Sequence, residues 1–258
     1  MDSETAKKRI AQLSEELNDH NHRYYLLSDP SINDFEFDQL LKELQLLESE
    51  FPLLADPNSP TKRVGGTVAN DFATVKHRYP MLSLDNSYSR EEIESFDTRA
   101  RKIIFDETGA EDDLTYVCEL KYDGVAIGLN YVDGVLIQAL TRGDGVQGDD
   151  VTANVRTIKT IPLKLRGSGY PSDFEIRGEI FLSRSTFARL NEGRAASGED
   201  LYANARNTAS GTLKMHDSTV VAERNLDCYL YALYGDGLPH QEHFSNMQAA
   251  KSWGFQIS

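Results

Sequence analysis

Three ionisable residues, Glu119, Lys121 and Asp123, alternate along a segment that is rich in β-forming residues and ends at Gly124. Successive side chains of an extended chain point to opposite faces, so this spacing places all three groups on one face. Charged groups in a strand are costly to bury unless they pair or act in catalysis. The pattern therefore marks a candidate site, and the alternative is an edge strand with a solvated charged face.

A glycine-rich segment at 142–148 (RGDGVQG) could cradle a phosphate. It lacks the Lys-Ser/Thr ending of a P-loop, and it is not set between a strand and a helix as a Rossmann GxGxxG is. The segment therefore predicts neither a P-loop ATPase nor a hydride-transferring dehydrogenase.

The first fifty residues predict two amphipathic helices. Apolar residues recur at helical spacing at Ile10, Leu13, Leu17, Leu40, Leu44 and Leu47. Residues 28–34 (SDPSIND) separate the two helices, and Asn33 with Glu36 matches a capping box that starts the second. The result is a small helical hairpin.

Prolines and glycines follow the hairpin and predict an extended linker. They are Pro52, Pro57 and Pro60 with a glycine pair at 65–66. We place a domain boundary near residue 70, which divides the chain into units at 1–70 and 71–258.

The second unit has the texture of a sheet with flanking helices. Strands are predicted at 115–120, 124–131, 135–141, 174–181 and 227–233, and helices at 90–105 and 183–192. Asp133-Gly134 is a hairpin turn between the second and third strands. The fold class is therefore α+β, a helical hairpin followed by a domain with mostly antiparallel sheets.

Six segments in chain order resemble the nucleotidyltransferase family of DNA ligases and capping enzymes, whose defining motif is Lys-x-Asp-Gly (121–124). The other five resemble the NAD-dependent bacterial ligases specifically: 80–86 (PMLSLDN), 141–145 (TRGDG), 148–158 (GDDVTANVRTI), 177–181 (RGEIF) and 203–211 (ANARNTASG). The resemblance covers almost the whole chain. It implies an ATP-grasp-like nucleotidyltransferase domain at 71–258 and a helical unit at 1–70 that binds nicotinamide mononucleotide (NMN).

The resemblance implies that Lys121 attacks the AMP phosphorus of NAD and releases NMN. The lysyl-AMP would then activate the 5′-phosphate of a DNA nick, in DNA replication and repair. Only the neutral amine of a lysine is a nucleophile. Arg142 and a Mg²⁺ ion, to which no protein ligands are assigned, would favour that form and stabilise charge on the transferring phosphoryl group.

The resemblance also implies an adenylate pocket. Ser83 and Leu84 would line its adenine side, Glu119 would read the adenine, and Tyr231 would stack on it. Glu179 would hold the ribose hydroxyls, and Asp123 would orient Lys121. Two alternatives remain open: Glu179 could form a structural pair with Arg177, and Tyr231 could be a core aromatic.

In the same family a helical appendage supplies the NMN site. The matching residues here are Tyr24, Tyr25, Asp34, Phe37 and Asp38. Phe37 departs from the family's tyrosine, so one hydroxyl hydrogen bond is lost while ring stacking on the nicotinamide is retained. The alternative is that Tyr24 and Phe37 only join the two helices. Like charges four apart on a helix repel slightly, so Asp34 and Asp38 fit a site for the nicotinamide cation.

The charge of the chain bears on its partners. The formal net charge is −14, whereas a protein that grips DNA alone presents a basic surface. We therefore expect nicked double-stranded DNA to be held mainly by other parts of a full-length ligase. Arg206 and Lys214 are candidates for DNA or phosphate contact here, or else belong to a solvated loop.

Other features set the compartment and the extent of the chain. The lack of an apolar span or signal peptide predicts a cytoplasmic bacterial protein, a monomer without membrane contact. Cys118 and Cys228 are predicted to be reduced, packed thiols and not a zinc site.

Two further lysine motifs and the zinc, helix-hairpin-helix, oligonucleotide-binding and BRCT parts of the family do not occur. We expect a fragment with an incomplete adenylation domain, a naturally short homologue being the alternative.

Two other functions stay open. One is a binding module for NAD or NMN without turnover, which predicts binding without covalent transfer. The other is an ATP-dependent ligase or capping-enzyme relative, which the residues of the hairpin disfavour.

Overall fold

The computed structural model describes residues 2–23, 31–62, 72–109 and 114–258. Within these ranges the helices are α1 (Ser3–His22), α2 (Asp34–Glu50), α3 (Arg90–Thr108), α4 (Thr152–Val155), α5 (Arg184–Ala196), α6 (Ala205–Leu213), α7 (Ser218–Glu223) and α8 (His243–Ser252). The strands are β1 (Thr74–Lys76), β2 (Val125–Val132), β3 (Val135–Thr141), β4 (Gln147–Asp149), β5 (Asp173–Phe181) and β6 (Asp227–Tyr234). The predicted α+β class is confirmed.

The predicted helical hairpin forms from α1 and α2. Its core consists of residues named by the apolar spacing: Ile10, Leu13, Leu17, Leu44 and Leu47, with Leu40 partly buried beside them. The Asn33–Glu36 capping box is present in both directions, because Asn33 accepts from the Glu36 N–H and Glu36 accepts from the Asn33 N–H.

The linker is less extended than predicted. Two short 3₁₀ helices, Pro52–Leu54 and Pro60–Lys62, replace part of it. A proline at the first helical position loses no hydrogen bond, and its fixed φ favours such a turn. The glycine pair at 65–66 lies outside the described residues.

A four-stranded antiparallel sheet in the order β3-β2-β5-β6 forms the centre of the second unit. All four strands were predicted, β2 from its alternation, β3 from the turn that precedes it, and β5 and β6 as strand candidates. The β2–β3 turn is confirmed, since Asp133 and Gly134 have φ of 48° and 76°. β1 and β4 pair separately as a two-stranded sheet.

One face of the central sheet carries the hydrophobic core. Alternate residues of β2 are fully buried there: Ile127, Leu129 and Tyr131. Side chains of β5, β6 and the following helices close over them, including Trp253 after α8. Burial of this face leaves the opposite face of the sheet available for a site.

The strand predicted at 115–120 does not form, because no strand of the described chain pairs with this segment. Cys118 is exposed, so its prediction as a packed thiol is wrong, whereas Cys228 is buried as expected. The segment instead contacts α3, where Tyr116 donates to Asp97 (2.7 Å) and packs beside Phe96.

Helices α4, α6, α7 and α8 were not predicted. Their buried faces include small and polar residues such as Ala209 and Thr212, which give little apolar periodicity. Among the described residues, no helix has both the length and the apolar character that crossing a membrane requires.

Candidate active site

The sheet face opposite the core presents a row of three paired residues, Ala126, Glu179 and Tyr229, at one level. Ala126 pairs with Glu179 and Glu179 with Tyr229, while the Arg142 N–H donates to the Ala126 carbonyl. Paired residues of antiparallel strands project to the same face. Arg142 directly follows β3 at the level of Ala126, and it is exposed.

The segment that carries Lys121 is docked onto this face by side-chain stacking. The ring of Tyr122 lies over Tyr229 at 4.5 Å and over Phe181 at 5.6 Å, with interplanar angles of 13° and 17°. Aromatic stacking of this kind stabilises the contact beyond its buried area. Tyr122 therefore faces the sheet, and Lys121 is left exposed beside it.

Gly124 brings the same segment against β5. A Cβ atom at this position would lie 2.1 Å from the Ile180 carbonyl oxygen, so only glycine fits without a backbone shift. The Gly124 N–H donates to the Glu179 carboxylate (3.1 Å). The last residue of the Lys-x-Asp-Gly motif thus joins the lysine segment to the row of side chains.

Electrostatics connect Glu179 to its neighbours. Burial raises the pKa of Glu179, while the Gly124 N–H and the charges of Lys121 and Arg206 act to lower it. Burial, followed by the Glu179 charge, raises the pKa of Tyr231 to about 12. Tyr231 is half-buried at a bulge of β6, between the pairs that join Gly178 to Leu230 and Arg177 to Ala232. Lys121, Glu179, Arg206 and Tyr231 therefore belong to one cluster.

The basic residues proposed for phosphate or DNA contact separate in the structure. Arg206 donates to the Asp123 carboxylate (3.1 Å) and so joins the cluster at Lys121. Lys214 forms an ion pair with Asp149 of β4 at 2.7 Å. Only Arg206 is brought to the site in this arrangement.

The adenine-side residues are exposed. Leu84 is 79% exposed, and Ser83 is exposed beside it. Their segment is fixed just before them, where the Met81 N–H donates to the Gly145 carbonyl (2.9 Å). Glu119 contacts His243 of α8 (Oε1 to Nε2, 3.0 Å).

Two features of the site were missed from the sequence. His243 is separated from Glu119 by 124 positions, and no local pattern marks it. Arg177 was considered only as a partner of Glu179, but it pairs with Glu175 at 2.6 Å, so that alternative is wrong. Glu175 and Glu179 both lie two positions from Arg177 on one strand face, so the spacing alone did not distinguish them.

The proposed NMN residues are described only in part. Tyr24 and Tyr25 lie outside the described residues, and the side chain of Asp34 is not described. Phe37 packs against the hairpin core, which supports the packing alternative for its ring. Asp38 is exposed.

Two family models match the chain. Residues 69–258 match the family model described as the NAD-dependent DNA ligase adenylation domain, and residues 3–65 match the DNA ligase-like, N-terminal NAD⁺-binding domain.

Curated relatives named DNA ligase align over nearly the whole chain. The protein of Phocaeicola vulgatus is 52% identical over 98% of this chain, and that of Cytophaga hutchinsonii is 48% identical over 100% of this chain. The chain spans 37% and 38% of the length of these relatives. The family match covers most of the chain, which therefore belongs to the NAD-dependent DNA ligase adenylation domain family.

Proposed function

We propose that this chain is the part of a bacterial NAD-dependent DNA ligase that binds NAD and takes up AMP on Lys121. The observation that carries the proposal is the cluster on the open sheet face. There an exposed lysine, whose segment is held by Tyr122 and Gly124, lies near the half-buried carboxylate of Glu179, and Arg142 follows β3 at the level of Ala126, the β2 partner of Glu179.

The reaction is a phosphoryl-group substitution. The Nζ atom of Lys121 forms a bond to the AMP phosphorus, the phosphorus–oxygen bond to the NMN phosphate breaks, and NMN leaves with the bonding electron pair. The amine gives up its proton to water. The positive charge of Arg142 stabilises the charge that develops on the phosphoryl oxygens, which is the main contribution that a protein makes to such a reaction.

Different side chains contact the ribose and the adenine of the proposed adenylate. Glu179 accepts hydrogen bonds from the ribose hydroxyls, and the burial that raises its pKa also strengthens them. Glu119, Ser83, Leu84 and Tyr231 surround the adenine. Asp123, paired with Arg206, limits the positions open to Lys121.

Magnesium is proposed as a companion of the nucleotide phosphates. No group of three or more His, Cys, Asp or Glu side chains in the described chain is arranged to hold a metal ion. Magnesium typically keeps several waters and binds through substrate phosphates. It would supply additional charge neutralisation at the phosphoryl group, and no protein ligand is assigned to it.

The hairpin supplies the other half of the NAD site. We propose units at 1–70 and 71–258, with NMN bound by Tyr24, Tyr25, Asp34 and Asp38 and bordered by the Phe37 ring. The two carboxylates oppose the positive charge of the nicotinamide ring.

Nick sealing is proposed for the whole protein. Lysyl-AMP would activate the 5′-phosphate of nicked double-stranded DNA in replication and repair, with Arg206 near the nick and Lys214 available only if it leaves Asp149. The net charge of −14 requires that most DNA contacts come from elsewhere. We propose a monomer that acts in the bacterial cytoplasm.

Release of NMN tests the proposal. The chain is incubated with NAD and Mg²⁺, and free NMN is quantified beside an ATP control. We expect stoichiometric NMN from the wild type, none from Lys121→Ala, and the wild-type amount from Lys251→Ala, a control at an exposed lysine in the last turn of α8. NMN release by Lys121→Ala would contradict the assignment.

A further inference from the structure

A buried ion pair lies on the site face of the sheet, next to the row that contains Glu179. Arg177 and Glu175 are 4% and 2% exposed, and the Arg177 Nε atom lies 2.6 Å from the Glu175 carboxylate. Desolvating such a pair costs free energy that its mutual attraction often does not recover. A hydrophobic pair would serve packing equally well, so the pair calls for another role.

The remaining donors of Arg177 bind the chain segment that leads to Ser83 and Leu84. Nη1 donates to the Pro80 carbonyl (2.8 Å) and Nη2 to the Tyr79 carbonyl (2.5 Å). The guanidinium also lies 4.3 Å from the centre of the Tyr234 ring, on which Tyr79 stacks. One planar cation thus joins β5, β6 and the segment at 79–80.

Space for this arrangement is provided by Gly128 of β2. A Cβ atom at position 128 would lie 2.9 Å from the Glu175 Oε1 atom. A larger residue at this position would require the Glu175 carboxylate to shift. The ion pair is therefore built into three strands of the sheet and is not an incidental surface contact.

We propose that Arg177 is a positioning residue that holds the adenine side of the pocket at a fixed distance from the ribose side. Arg177 and Glu179 are two apart on β5, so their side chains share one face. Ser83 is three residues beyond Pro80, whose carbonyl the guanidinium binds. The proposal rests on the proposed function, in which Ser83 and Leu84 line the adenine and Glu179 binds the ribose.

The test removes both charges together. Arg177→Met alone would leave a buried carboxylate without a partner and is expected to unfold the protein. The double variant Glu175→Leu/Arg177→Met avoids this, since two apolar side chains of similar size replace the pair. Its thermal unfolding is measured first, and we expect a midpoint close to that of the wild type.

Three readouts then follow on the full chain. Hydrogen exchange reports the mobility of residues 79–86, and calorimetry gives the affinities for AMP and for NMN as separate probes. We expect faster exchange at 79–86, a weaker AMP affinity by about tenfold to 100-fold, and an unchanged NMN affinity. A purely structural role would lower both affinities together.

The chain offers a matched control in Arg194. It pairs with Glu199 at 2.8 Å, donates to the Asp200 carbonyl and lies 4.4 Å from the Tyr202 ring. Its contacts resemble those of Arg177 in kind but do not reach 79–84. The double variant Arg194→Met/Glu199→Leu should leave exchange at 79–86 and AMP affinity unchanged.

Either of two results would overturn the proposal. One is unchanged exchange and AMP affinity in the Arg177 double variant, and the other is a parallel loss of AMP and NMN binding. If the wild type binds no AMP, the proposed function fails, and the exchange at 79–86 still decides whether Arg177 holds this segment.

Discussion

Glu179 illustrates the conflict between stability and binding at the scale of one residue. Its carboxylate is partly withdrawn from water, and burial raises its pKa although a backbone N–H and two cations act in the opposite direction. The charged form is therefore less favourable in the folded chain than in the unfolded chain. In the proposed function, the ribose hydroxyls bind to this same carboxylate.

The sign of the resulting pH dependence follows from the raised pKa. Below the ordinary pKa of 4.5 the carboxyl is neutral in both the folded and the unfolded chain, so its burial does not lower the stability through charge. As the pH rises through the folded pKa, stability is lost. We therefore expect Glu179→Gln to raise the unfolding midpoint at about pH 7.5 by about 2–4 °C, with no gain at about pH 4.

Differential scanning calorimetry at the two pH values checks this expectation. Glu192→Gln, at an exposed position of α5, serves as the control and should change neither midpoint. An equal gain for Glu179→Gln at both pH values would mean that desolvation of its charge is not the cause.

Much of the candidate site could be predicted at the residue scale, because its residues follow one another in short motifs. Lys121, Asp123 and Glu179 are brought together as predicted. The roles assigned to them stay predictions until measured. His243 could not be found, because its contact with Glu119 depends on where α8 packs, and Arg177 was given the wrong partner.

At the scale of the element, the Lys-x-Asp-Gly segment shows why propensity alone is insufficient. A strand was predicted at 115–120, just before this motif, but an unpaired strand gains no ladder hydrogen bonds. The Tyr122 stack and the close approach of Gly124 to Ile180 fix the segment instead. Strands β2, β3, β5 and β6 were predicted correctly, and each of them pairs with a neighbour in the central sheet.

The start of α2 provides a test at this scale. Asn33 caps the helix that carries Phe37 and Asp38, and the Glu36 side chain returns the bond. We expect Asn33→Ala to destabilise the hairpin by about 1 kcal/mol, because one N-terminal N–H group loses its acceptor. NMN should also bind more weakly, because Phe37 and Asp38 of the proposed NMN site lie on this helix.

Hydrogen exchange in the first turns of α2 measures this effect locally. Asn33→Asp keeps an acceptor in the same place and should match the wild type. Equal protection in the alanine and aspartate variants would show that the capping box does not determine where α2 begins.

At the scale of the whole molecule, polar contacts join the hairpin to the sheet unit in the described part of the chain. Arg166 donates to the Asn18 carbonyl (3.2 Å) and to Asp19 (2.9 Å) near the end of α1, while its own N–H donates to the Trp253 carbonyl (3.0 Å). The boundary predicted near residue 70 lies outside the described residues and stays a prediction. The composition alone could not reveal which residues form this joint.

This joint predicts a shift in the position of the hairpin. A partly exposed ion pair contributes about 1 kcal/mol or less. Arg166→Ala should therefore change the ratio of detached to attached hairpin by at most about fivefold. Small-angle scattering should show a larger radius of gyration. Arg78→Ala breaks the Arg78–Asp173 pair inside the sheet unit (2.6 Å) and should leave the radius of gyration unchanged. Identical scattering profiles for the two variants would contradict a joint at Arg166.

The central claim is that Lys121 is the residue that takes up AMP from NAD. Intact mass spectrometry after incubation with NAD and Mg²⁺, followed by peptide mapping, tests it most directly. The account predicts the gain of one AMP on the peptide that contains Lys121, no gain with ATP, and no gain in Lys121→Ala. An AMP adduct that persists in Lys121→Ala, or a wild-type chain that stays unmodified, would contradict it.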